Sequence, residues 1–190
     1  KPQTVFFNLL PMGGFAWERT MSTSNVLTIV QLQGLEALAW AAPHQSAVRI
    51  ALLSAGVLFM TGLLTGLWKY LSIARSPQAR APYYVDIAHR ASLLYAFAAL
   101  LMAAMAALSP WSVCLTWLAT TGPIVFFFAA VFTYLLHGWL NDTRNQLAKP
   151  HRLGRFALPG WLIHGFMGVL ALVEIAGAGI LVAGLFQRLL

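Results

Sequence analysis

The residues most able to do chemistry open the stretch Pro82-Tyr83-Tyr84-Val85-Asp86-Ile87-Ala88-His89-Arg90-Ala91-Ser92-Leu93-Leu94-Tyr95. Asp86, His89 and Arg90 fall within the first two turns of an apolar run that continues to Leu108. Ionisable groups are costly inside a membrane helix, so they face a partner, a cavity or a cofactor. A neutral imidazole is a metal ligand or a proton carrier. A carboxylate or carbonyl beside it commonly fixes its orientation, and Asp86 stands one turn before His89. Further along, Tyr134, His137, Asn141 and Asn145 recur at three- and four-residue spacings, one face of a helix. His164 and Glu174 lie in the last apolar run.

The elements that must position these groups are apolar helices. Hydrophobic residues make up 59% of the 190 positions and charged ones 9%, with mean hydropathy +0.73. A soluble domain carries about 25% charged residues. The expected fold is all-α, an integral membrane four-helix antiparallel bundle with an N-terminal interfacial helix. Segments at about 47–72, 83–108, 112–139 and 158–187 each meet the requirement of roughly 20 apolar residues for a span. Short loops make sequential helices antiparallel neighbours. Gly62-Leu63-Leu64-Thr65-Gly66 is a GxxxG that lets another helix approach closely. The bundle takes residues 46–190.

Residues 1–45 form a separate N-terminal segment. Leu27, Val30, Leu35, Leu38 and Ala39, interleaved with Gln31, Gln33 and Glu36, predict a helix over 25–40. It is too short and too polar to span and suits the membrane interface. Pro43 and His44 end it, with His44 solvated. Met21 looks like a natural start, so residues 1–20 read as upstream sequence and stand outside the fold argument.

Charge fixes an orientation. Lys69, Arg75, Arg80 and Arg90 surround the first loop, and Arg144, Lys149, Arg152 and Arg155 lie in the third. The middle loop, Ser109-Pro110-Trp111, has no charge. The positive-inside rule puts both basic loops in the cytoplasm and both termini outside, as in a bacterial inner membrane. The net charge of +7 is then a topological signal, and nucleic acid is excluded as a partner. The single cysteine, Cys114, excludes an internal disulfide and a Cys-based metal cluster.

That topology gathers polar residues at one depth. His89 lies roughly 9 Å inside the second helix at 1.5 Å per residue. His137 leaves the third helix and His164 enters the fourth on the same side. Taken singly, His137 and His164 are headgroup neighbours, and His151 in the basic loop is solvated. Asp142, Arg144 and Asn145 read as cap and loop chemistry, and Tyr83 and Tyr84 as an aromatic belt. Glu174 lies about 15 Å below His164, as a structural hydrogen bond between helices or a proton relay. Haem b suits such a site: apolar helices enclose the macrocycle, one imidazole supplies the axial ligand, and Arg90 or a loop arginine meets the propionates. Zinc and di-iron suit it less, because the chain has neither HExxH nor Glu-x-x-His.

Several motifs have a familiar order. Gly66-Leu67-Trp68 closes the first helix, and Ala88-His89 heads the second. Tyr134-Leu135-Leu136 runs into a turn containing Asn141, Arg144 and Asn145. In these positions, in size and in four-helix topology, residues 50–187 resemble the styrene oxide isomerase family. The resemblance implies a small membrane enzyme that binds haem b, assembles as a homotrimer and isomerises aryl epoxides to aldehydes. It implies His89 as axial ligand and Tyr134 as a polar contact to the epoxide. Six residues after the histidine the family has an asparagine that helps hold the substrate oxygen, and this chain has Tyr95. Its first loop is also shorter.

The implied chemistry has a physical rationale. A ferric haem with an open axial position acts as a Lewis acid on an epoxide oxygen. Opening the C–O bond beside an aryl ring, followed by a 1,2-hydride shift, gives a carbonyl compound. Water must be kept away, and Phe126, Phe127, Phe128 and Phe132 are candidates to line a dry pocket. Two other classes stay open at this point: an electron-transfer cytochrome b subunit using His89 with His137 or His164, and a cofactor-free accessory membrane subunit.

Overall fold

A computed structural model describes residues 42–190. The segment 1–20 and the helix expected over 25–40 lie outside the described residues. A 3₁₀ turn, Ala42–His44, leads into α1 (Gln45–Arg75), followed by α2 (Tyr83–Ala107) and α3 (Val113–Leu140). A small hairpin, β1 (Arg152–Leu153) and β2 (Phe156–Ala157), precedes α4 (Gly160–Leu189). All four helices are long and apolar enough to cross a membrane.

Local chemistry sets the helix ends. α2 and α4 start directly after Pro82 and Pro159, where the fixed φ of proline leads into a helix and its missing N–H costs nothing. The Ser112 hydroxyl accepts from the Leu115 amide at 3.3 Å and caps α3. Asn141 ends α3 in the left-handed conformation, φ 48°, its amide donating to His137 O at 2.8 Å. Because the helix stops there, Asn145 does not continue the face of Tyr134 and His137. The hairpin was not expected from the sequence. It pairs Arg152 with Ala157 and Leu153 with Phe156 across a turn where Gly154 takes φ 58°.

Successive helices run antiparallel, as the close approaches show. Gly62 meets Leu93 and Gly66 meets His89 between α1 and α2. Gly138 meets Val85 between α2 and α3, and Gly177 meets Ala119 and Pro123 between α3 and α4. The GxxxG of α1 therefore serves packing within the chain. α2 and α3 are central, with α1 packed mainly on α2 and α4 mainly on α3. α1 and α4 share no substantial interface, so the helices do not close into a ring.

The proline in α3 explains the close approach of α4. Pro123 has no amide to give Ala119 O, which leaves that carbonyl without its helical partner. Gly177 lies over it: a Cβ there would stand 2.6 Å from Ala119 O and 2.5 Å from Pro123 Cγ. The short uncharged loop Ser109-Pro110-Trp111 is tied on both sides. Trp111 Nε1 donates to Ile180 O at 2.8 Å, and Ser109 Oγ meets Thr116 Oγ1 at 2.8 Å. His44, expected to be solvated, is 5% exposed, with Nε2 donating to Ser109 O at 3.0 Å.

Candidate functional site

His89 is held by the closest packing between α1 and α2. Its Nδ1 lies 2.8 Å from Gly62 O. A carbonyl can only accept, so Nδ1 carries the proton and the lone pair of the neutral ring is on Nε2. Gly66 makes the room: a Cβ there would stand 2.8 Å from Cε1 and 3.0 Å from Nδ1. The group that orients the imidazole is thus the Gly62 carbonyl. Asp86 has other partners: Lys69 Nζ reaches Oδ1 at 2.6 Å and Arg90 Nη2 reaches Oδ2 at 2.8 Å. Arg90 itself is mostly exposed. Asp86 therefore ties α1 to α2 one turn from His89.

An imidazole with Nδ1–H given to a carbonyl and the lone pair on Nε2 is the usual arrangement of a metal-ligating histidine. The residues present fit haem b in that respect. Among the described residues no group of three or more His, Cys, Asp or Glu converges. A metal held by side chains alone would need such a group, whereas an iron porphyrin needs one imidazole.

The tyrosines face another side of α2. Tyr95 stacks on Phe127 of α3, ring centroids 4.4 Å apart. Tyr134 stacks on Tyr84 at 6.0 Å. The carboxyl of Glu174 on α4 is close enough to act electrostatically on both Tyr95 and Tyr134. Its Oε1 is buried without a hydrogen-bond partner. These three residues form one polar group among α2, α3 and α4. Within one chain the structure does not bring them onto the α1-facing stripe that carries His89. Nor do the phenylalanines form one aromatic wall, since Phe127 is buried, Phe126 leans on Phe166, and Phe132 is exposed.

The remaining histidines pack apart from His89. His137 is buried against Tyr84, centroids 5.1 Å apart, with Nδ1 2.8 Å from Asp142 Oδ1. Asp142 Oδ2 also accepts from the Gly154 amide at 2.5 Å, which fastens the hairpin turn to the end of α3. Burial alone would raise the Asp142 carboxyl, but the Gly154 and His137 hydrogen bonds outweigh it and hold it below the usual range. Asp142 is thus the partner of His137 as well as a loop residue. Tyr84, expected in an exposed belt, is buried, and its hydroxyl accepts from the Gln146 amide at 2.7 Å. Tyr83 is exposed. His151, expected to be solvated, is 5% exposed and lies edge-on to His164 at 5.5 Å.

The sequence reading missed the pairing of His137 with Asp142 and the role of the Gly62 carbonyl. One signal was present for the first: an acid five residues after a histidine, just past a helix end. Comparison with protein-family models, with curated proteins and with solved structures finds no match.

Proposed function

We propose that this chain is an integral membrane protein that binds haem b through His89 and isomerises a lipophilic epoxide to a carbonyl compound. Membrane insertion is supported by how little the helices bury. Between 22% and 44% of each apolar window is covered within the chain, and lipid is the solvent that suits the rest. The observation that carries the haem reading is His89, its Nδ1–H committed to Gly62 O and the lone pair of the neutral ring on Nε2.

The reaction class rests on the resemblance to the styrene oxide isomerase family. Haem bound at His89 supplies a Lewis acid for the epoxide oxygen. The chain supplies the rest. The Gly62 carbonyl keeps His89 in the ligating tautomer. The apolar helices keep out water, which would trap the opened epoxide as a diol. Tyr134 holds the place of a hydrogen-bond donor to the substrate oxygen. Within one chain it stacks on Tyr84, away from His89, and turnover tests its role. Turnover of styrene oxide by purified protein should give the aldehyde, not the diol. Tyr134→Phe should lower kcat about 100-fold if the hydroxyl donates in the transition state. Unchanged turnover would remove Tyr134 from the site.

A further inference from the structure

Where α3 ends, the hairpin folds back against the start of α4 and leaves a cavity of about 280 Å³. Its walls are apolar, Leu136, Leu153, Ile163 and Phe166 among them. His137 also lines it. This ring is 6% exposed, and its Nδ1 is committed to Asp142. A carboxylate accepts, so Nδ1 carries the proton, and in the neutral ring Nε2 presents a lone pair with no hydrogen-bond partner among the described residues. That atom is not sealed in the protein interior, so it is reachable where His137 lines the cavity, and the apolar walls offer it no partner.

We propose that this cavity binds a small lipophilic alcohol or phenol, whose hydroxyl donates to His137 Nε2 while its hydrocarbon part fills the apolar walls. The size fits: a cavity of about 150 Å³ accepts benzene, so this one takes a single ring with a short chain. The chemistry selects a donor. The ring nitrogen is an acceptor, and the Asp142 carboxylate behind it holds that tautomer. Asp142 is itself fixed by the Gly154 amide, so the site is built before a ligand arrives. It is separate from His89, which packs on α1.

The test uses the full chain in detergent, with 4-ethylphenol and ethylbenzene as probes, and reads their affinities by calorimetry. Wild type should bind 4-ethylphenol about tenfold more tightly than ethylbenzene, the worth of one good hydrogen bond. His137→Leu should keep ethylbenzene binding and lose the preference. Ile163→Trp, which fills the cavity without touching the dyad, should weaken both. Gly179→Val, where a Cβ meets open space, should leave both unchanged. Equal binding of the two probes to wild type, no binding of either, or a preference that survives His137→Leu would overturn the proposal. The wild-type comparison decides even if a variant fails to fold.

Discussion

Asp142 joins two parts of the chain through one carboxylate. Oδ1 accepts from His137 at the end of α3, and Oδ2 accepts from the amide of Gly154 in the hairpin turn. Both bonds are charge-assisted and the side chain is 8% exposed. Asp142→Asn keeps the shape but removes the charge, and should cost the hairpin about 1.5–3 kcal/mol of local stability. Limited proteolysis between residues 141 and 159 would report this as faster cleavage with the helices intact. The pH dependence follows from the lowered carboxyl. A group held below its ordinary value, 3.8 here, contributes stability that is fully present above that value. The contribution disappears as pH falls through the lower folded value. Cleavage should therefore be slow from neutrality to about pH 4 and rise only below it in wild type, while Asp142→Asn shows no such step. A wild-type step near neutrality would contradict this assignment of the bonds.

At the scale of elements, the helix register rests on a few residues without side chains. Gly177 lies against the carbonyl that Pro123 leaves without a partner, and backbone cannot step aside. Gly177→Val should push α4 off α3 and lower stability by about 1–3 kcal/mol, read as a lower Tm in detergent. Gly179→Val, where a Cβ meets open space, should leave Tm unchanged. The four helices were legible in the sequence because length and apolarity alone define them, and Pro82, Ser112, Asn141 and Pro159 mark their ends. Their pairings were less legible. Periodicity says that His89 and Tyr95 lie on different faces of α2, but it does not say which neighbour each face meets. Gly62 O reaches His89 from 27 positions away, and no local pattern announces a carbonyl as an orienting group. The hairpin was missed for a similar reason, since strands of two residues carry no period. His44 and His151 read as solvated because polar flanks hide the burial that the chain reversal at each end creates.

At the largest scale, the four described helices form an open array, with Ser54, Thr65, Ser92, Thr116, Thr120 and His137 buried between them. Leu53, Leu94, Leu172 and Ile175 are each about 70% exposed, far more apolar surface than a protein in water leaves uncovered. Charge gathers where the first and third loops meet one end of the helices, and His89 lies near that same end. The proposed haem site at His89 would then lie close to the basic end of the helices, its imidazole set by a backbone carbonyl. The most direct measurement is the absorption spectrum of protein purified in mild detergent, wild type beside His89→Ala. Wild type should show a Soret band whose position shifts when cyanide or imidazole is added, as one ligating histidine and one open position require. His89→Ala should lose most of its haem while keeping its helical circular dichroism. A wild-type protein without a Soret band, or a variant that retains full haem content and an unchanged spectrum, would contradict the account.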